Sequence, residues 1–412
     1  MNNHPAGKSA LVLSGGGAYG AYEVGVIQAL FAGHSPSTSG TRLDPDVYTG
    51  TSVGNYNAAF LAMNEGGAFE SSRRLRSIWM DRIADNGRGA GNGVFKIRGN
   101  PLEYIDPRAP GSPVGQLRRL LSDTASLSLS AGPRMLNLLS PHERLLERVK
   151  DLLDISAFLN VEPFEKLVRD TIKPAALRGS AKILRVTATG WRTGEAREFS
   201  FPDMTDEQTW SAIRASAAIP ALFPPVKLFD EIFIDGGVVQ NTPIKPAVTA
   251  GATDIHVVSL NPQMTQLPES HIENSFDTFN RVYAAMLASK IDEDVASARW
   301  INEGIEALER VDAGQEVDSD TMRRFVRVAR VISDRLHRED RLPAKLTIHR
   351  YYPRNSLGDM IGMLNFHRAP IENMIREGYR DTCAHDCRSN NCVIPAIVQH
   401  TQPESKAATA AS

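Results

Sequence analysis

Short apolar runs alternate along the chain with stretches whose apolar residues recur at helical spacing. Ala10-Leu-Val-Leu-Ser14 runs into three glycines, and Ala21 to Phe31 then carries Val24, Ile27, Gln28 and Leu30 on a helical repeat. That order predicts strand, tight turn, helix. Val47-Tyr48-Thr49 leads into Gly50-Thr-Ser-Val-Gly54 and an alanine-rich helix from Asn55 to Asn64, a second copy of the same unit. Beyond these, Phe164–Ile172 predicts a helix, and Ile183–Ala188, Ile232–Ile234 and Ile255–Leu260 predict strands. Phe276 to Arg341 contains no proline and reads as helical; Leu346 to Tyr352 reads as a final strand and Ala369–Thr382 as a closing helix. Strands alternating with helices predict an α/β fold with three α/β/α layers around a mainly parallel sheet.

Two stretches break this texture. From about 86 to 150 glycine, proline and serine are frequent between apolar patches such as Leu117–Leu121 and Met135–Leu139, which predicts an inserted, mostly helical cap. From Cys387 to the end small and polar residues dominate, which predicts disorder. The expected organisation is one domain over about 8–382, carrying the cap and a helical insert at about 270–341, followed by a tail.

With 412 residues and 42% hydrophobic content the chain can bury a large core. Its net charge of −2 supplies no global field for a polyanion, so nucleic acid is not expected as a partner. Met1 to Ser9 is polar and shows no secretory signal. No run approaches the roughly 20 apolar residues of a spanning helix. A cytoplasmic protein is expected, with any membrane contact peripheral.

Three constellations carry chemistry. Gly50-Thr51-Ser52-Val53-Gly54 fits G-x-S-x-G. The bare pattern is common, but here it joins an apolar strand to a helix, where a nucleophile elbow holds its serine strained and exposed. The competing reading is a tight turn with a capping serine. Ser14-Gly15-Gly16-Gly17-Ala18-Tyr19-Gly20 can aim backbone N–H groups at an oxyanion. Gly15, Gly17 and Gly20 also fit the dinucleotide fingerprint of an oxidoreductase. That reading wants an acidic residue ending the second strand, and Asp44 and Asp46 precede it. A P-loop fails for lack of G-K-[ST]. Third, Ile232-Phe-Ile-Asp235-Gly236-Gly237 places a carboxylate at the end of a strand, on the carboxyl edge of the expected parallel sheet.

A Ser–Asp–His triad would draw its histidine from His256, His271, His349 or His367, none of which has a distinctive setting. A carboxylate whose pKa is raised by burial can take the serine proton directly. A Ser52–Asp235 dyad is therefore preferred over a triad.

Gly15–Gly20, Gly50–Gly54 and Asp235–Gly237, in this order, resemble the patatin-like phospholipase family. Ala215-Ser216-Ala217-Ala218-Ile219-Pro220-Ala221-Leu222-Phe223-Pro224-Pro225 is similar to the block preceding that family's aspartate, and Glu372 to Asp381 to its last helix. The resemblance implies a three-layer fold, no cofactor, and hydrolysis of acyl esters of phospholipids or neutral lipids. It implies Ser52 as nucleophile, Asp235 as base, the N–H groups of Gly15, Gly16 and Gly17 as oxyanion hole, and Gly20, Gly50, Gly54, Gly236 and Gly237 in support. Two positions depart from the pattern. Tyr19 stands where many members have arginine or lysine, and Asn55 replaces a small residue after the elbow, which predicts a narrower site. A non-catalytic lipid-binding scaffold of the same fold is a further alternative, against which the intact Ser52 and Asp235 count.

Lipid contact has two sequence candidates. One is the basic amphipathic stretch Arg323, Arg324, Arg327, Arg330, Arg335 and Arg338 with Phe325, Val328, Val331, Ile332 and Leu336; the other is the cap around Leu117–Leu139. The first reads more readily as an ordinary packed helix with a solvated arginine face, and the second equally as a plain helical cover. Cys383, Cys387 and Cys392, with His385 between the first two, read as a metal clip or as a reduced tail. Their loose spacing and polar flanks favour the tail, and no metal is expected.

Overall fold

The apolar runs at the start of the chain become strands whose two faces both meet core. In the computed structural model, which describes residues 7–85, 92–97, 159–220, 222–260, 275–312, 344–358 and 362–396, the first strand β1 (Lys8–Leu13) turns Leu11 and Leu13 into one apolar cluster and Ala10 and Val12 into another. Side chains alternate along a strand, so a continuous apolar run of this kind needs cover on both sides. The cover consists of helices, and the architecture is α/β/α.

The other strands are β2 (Val47–Thr51), a two-residue pair β3 (Lys96–Ile97) and β4 (Leu159–Asn160), β5 (Ile183–Gly190), β6 (Ala196–Phe199), β7 (Val226–Leu228), β8 (Glu231–Asp235), β9 (Ala252–Val258) and β10 (Thr347–Tyr351). The central sheet has eight strands along the path β10-β9-β1-β2-β5-β8-β7, with β6 also on β5. β10, β9, β1, β2 and β5 are parallel neighbours. β6 and β8 are antiparallel to β5, and β7 is antiparallel to β8.

One face carries α1 (Gly20–Ala32), α2 (Val53–Ala62), α3 (Ala68–Ile78), α4 (Glu162–Thr171), α5 (Pro174–Gly179) and α6 (Asp206–Ser216), whose buried residues join the larger cluster. α7 (Ile244–Thr249) and α8 (Ser275–Asp312) contribute Ile244, Ala247, Ile291, Val295 and Ala298 to the cluster on the other face. The closing helix α9 (Arg368–Cys383) crosses α1 at glycine contacts. A Cβ on Gly25 would stand 2.0 Å from the Ile375 carbonyl oxygen, and one on Gly378 2.1 Å from that of Tyr22. α1 is buried almost all round because α9 lies over it.

The expected elements that lie within the described residues fall where the apolar pattern puts them, with one correction at the far end; residues 313–341 of the expected long helix lie outside them. Residues 387–396, where composition points to disorder, follow a fixed path: Val393 exchanges two backbone hydrogen bonds with Ile348, both 2.9 Å, along the edge of β10. Most of the expected cap, including Leu117–Leu139, lies outside the described residues, as does the Arg323–Arg338 stretch. No described helix is long and apolar enough to cross a membrane.

Candidate active site

β5 carries three partners on two edges, and their registers bring the two key residues together. β2 pairs with β5 from Val47↔Ile183 to Thr51↔Thr187, while β8 pairs with it at Asp235↔Ala188, Ile234↔Thr189 and Phe233↔Gly190. β6 overlaps both ranges, at residues 186–189 of β5, so it must hold the opposite edge. β2 and β8 therefore share one edge of β5 and meet end to end. The residue after Thr51 is Ser52, and the last residue of β8 is Asp235. Asp235 does reach the carboxyl edge of the parallel strands, but it arrives from outside, on an antiparallel strand.

Ser52 lies between β2 and α2 with φ 54° and ψ −125°, a conformation costly for a residue with a Cβ. Its N–H is held by the Ser216 carbonyl oxygen (3.1 Å) and hydroxyl (3.0 Å), and that hydroxyl donates to Thr187 O at 2.6 Å. The flanking glycines are required sterically. A Cβ on Gly50 would come within 2.5 Å of the backbone at Gly54, and one on Gly54 within 2.6 Å of the Leu13 and Ser14 carbonyl oxygens. Gly236 packs as closely, its hypothetical Cβ 2.3 Å from Thr187 O.

Asp235 is buried, and its Oδ1 accepts the Gly237 N–H at 2.7 Å. Oδ2 is buried and has no hydrogen-bond partner. Burial pushes the carboxyl up to about 7, against the opposing influence of the nearby Ser52 hydroxyl and the Gly237 N–H. The hydroxyl is thus near enough to influence the carboxylate without completing a hydrogen bond to Oδ2.

The glycine turn is only partly available. Gly15 N–H is engaged by Asn241, with its Oδ1 at 3.1 Å and its carbonyl oxygen at 3.2 Å, and Asn241 Nδ2 returns a bond to Gly15 O at 3.3 Å. The N–H groups of Gly16 and Gly17 make no hydrogen bond among the described residues; they begin the short 3₁₀ turn Gly17–Tyr19, where orphan donors are expected. Gly17 has φ +56°, and a Cβ there would meet Met363 O at 2.4 Å. Gly20 packs on Val53, where a Cβ would stand 2.5 Å from Cγ2. Of the three sequence candidates, Gly15 is therefore a structural anchor, and Asn241 is the residue sequence reading passed over. Its signal was the polar run Gln240-Asn241-Thr242, two valines after the aspartate motif.

A cleft opens on Ser52 and Gly17. Its walls are apolar, with Trp79, Ile83, Phe164, Leu167, Ile219 and Phe223 among them. Trp79 Nε1 donates to Asn57 Oδ1 (2.9 Å), and Asn57 Nδ2 donates to the buried Glu23 carboxyl (2.8 Å), whose pKa burial drives well up. Asn55 is not part of the cavity wall: it turns to α6 and donates to Ile213 O at 2.9 Å, so the expected narrowing is absent. Tyr19 is buried against Gly358.

Among the described residues no histidine lines this cavity. His256 bonds Tyr351 OH at 2.9 Å, His367 is exposed beside Asp85, and His271 lies outside the described residues. His349 instead sits with His385, Cys387 and Cys392 in a cluster at the C-terminal end of the chain, from which Cys383 is absent.

No curated protein matches the chain in sequence. Among solved structures it is similar to VipD from Legionella pneumophila (18% identity, 92% of this chain and 66% of that one, TM-score 0.35). It is also similar to the type III effector protein ExoU (16% identity, 92% of this chain and 52% of that one, TM-score 0.30). The chain thus spans roughly half to two thirds of the length of these proteins. The patatin-like phospholipase family model matches residues 11–248, more than half of the sequence. Those residues hold the glycine turn, the elbow and Asp235, and the chain belongs to the patatin-like phospholipase family.

Proposed function

We propose that this protein is a serine lipid acyl hydrolase working through Ser52 and Asp235. The observation that carries the reading is the head-on meeting of β2 and β8, which brings a strained serine on the wall of an apolar cleft to a buried, half-unsatisfied carboxylate. The apolar walls suit an acyl chain, whose burial yields about 0.8 kcal/mol per methylene.

Ser52 Oγ attacks the ester carbonyl carbon as Asp235 Oδ2 takes its proton. Negative charge develops on the carbonyl oxygen, for which the N–H groups of Gly16 and Gly17 are the proposed donors; losing one such donor typically costs about 3–4 kcal/mol. Collapse breaks the ester C–O bond, and the leaving alkoxide takes the proton from Asp235. Water then attacks the acyl-enzyme, passes a proton to Asp235, and the Ser52–acyl bond breaks to free the fatty acid and restore the hydroxyl. Asp235 with a pKa near 7 is matched to both directions of transfer at neutral pH.

The test is fatty-acid release from mixed phospholipid vesicles and from a neutral acylglycerol, wild type against Ser52→Ala. Release by wild type alone supports the reading and ranks the two lipid classes. Equal, background release by both proteins overturns it in favour of a lipid-binding scaffold.

A further inference from the structure

The C-terminal segment and the edge strand β10 place four soft and borderline donors at one point. His349 comes from β10; His385, Cys387 and Cys392 come from the turn after α9. Their donor atoms all lie within 4.8 Å of one another. Cys387 Sγ is 3.5 Å from both His349 Nδ1 and His385 Nε2, and Cys392 Sγ is 3.6 Å from His385 Nε2. With bonds of about 2.3 Å to sulfur and about 2.05 Å to nitrogen, a tetrahedral zinc ion sets its sulfur and nitrogen ligands about 3.6 Å apart. Three edges of the required tetrahedron thus have the right length. Both histidines are buried, both cysteines are partly so, and all are free thiols. We infer that His349, His385, Cys387 and Cys392 form a structural zinc site that fastens the C-terminal segment to the edge of the central sheet.

A second observation points the same way. Asp254 Oδ1, on β9, is buried without a hydrogen-bond partner and lies 3.9 Å from His349 Nε2. The imidazole stands between this carboxylate and the sulfurs, the arrangement in which a metal-binding histidine gives its other N–H to an acid. Asn390 adds a further requirement. Its Nδ2 now lies 3.0 Å from His385 Nδ1 and donates to Arg350 O at 2.8 Å. With a metal on Nε2 the ring proton sits on Nδ1, so the amide has to turn away from the ring while keeping its bond to Arg350 O. Two sulfurs and two imidazole nitrogens in four-fold convergence select zinc over magnesium or calcium, which take oxygen ligands. The set is closed by four protein donors, which marks a structural role and leaves no position for a substrate. The same segment pairs Val393 with Ile348, covering an edge that would otherwise offer unpaired backbone groups.

The experiment is metal analysis of the full chain, purified without chelator and then titrated with Zn²⁺ and Co²⁺, for wild type, Cys387→Ser, Cys392→Ser and Cys383→Ser. One zinc per chain is expected in wild type and Cys383→Ser, together with the thiolate-to-cobalt charge-transfer band and the intense d–d bands of a tetrahedral ion. Cys387→Ser and Cys392→Ser should lose both. Circular dichroism checks that these variants fold. Asp254→Asn, which removes no ligand, should weaken binding about ten- to a hundredfold. The inference is overturned if Cys383→Ser and Cys387→Ser bind alike, if wild type gives only weak octahedral cobalt bands, or if thiol titration finds Cys387 joined to Cys392 in a disulfide.

Discussion

Replacing Asp235 by asparagine should abolish turnover and at the same time make the protein more stable above neutral pH. The carboxyl is buried and moves from its ordinary 3.8 to about 7 on folding. At about 1.36 kcal/mol for each tenfold change in proton affinity, keeping it ionised costs the native state about 4 kcal/mol at pH 7 and above. The sign follows from proton counting. Between 3.8 and about 7 the unfolded chain has released this proton while the folded chain still holds it, so wild-type stability falls as pH rises through that window and levels off beyond it. Asparagine keeps an acceptor for the Gly237 N–H and has nothing to ionise. Urea unfolding of both proteins should show the variant gaining on wild type by about 3 kcal/mol between about pH 5 and pH 8, whatever constant offset the substitution brings. A difference that does not change with pH would refute the reasoning, because it would mean that folding does not shift this carboxyl.

Three further outcomes rest on the same geometry. The pH dependence of kcat/KM should rise through an apparent pKa near 7 and then plateau, since Asp235 must be ionised to accept the proton; a profile already flat from about pH 5 would rule it out as base. Ser52→Gly should lose all activity yet raise stability by about 1–2 kcal/mol in chemical denaturation, because glycine accepts φ 54°, ψ −125° without the cost serine bears. Ala217→Phe, projecting into the cavity wall, should lower kcat/KM for long acyl chains at least tenfold while sparing short esters; equal losses on both would place the acyl chain elsewhere.

Much of this was legible in the residues. β1 and β2 announce themselves because apolar runs stop at glycines that no other residue can replace, as Gly50 and Gly54 show by their contacts. The direction of β8 was not legible. The apolar run Ile232-Phe-Ile reads identically in parallel and antiparallel strands, and the hairpin that reverses the chain uses Phe229 (φ 51°) and Asp230 (φ 60°). A primed two-residue turn is ordinarily flagged by Asn-Gly or Asp-Gly, and phenylalanine at positive φ gives no such flag. Gly15 was indistinguishable from its neighbours because only the tertiary contact with Asn241 removes its N–H from use. The C-terminal donors were undervalued for a related reason. Three of them crowd one turn at spacings that look loose, and the fourth, His349, belongs to a strand far upstream that only the sheet brings into reach.

The most direct test of the central claim is intact-mass analysis after treatment with a fluorophosphonate, followed by peptide mapping, on wild type, Ser52→Ala and Asp235→Asn. One adduct on wild type, located at Ser52 and absent or strongly slowed in both variants, is the predicted result. An adduct at another residue, or labelling of Ser52 at full rate in Asp235→Asn, would contradict it.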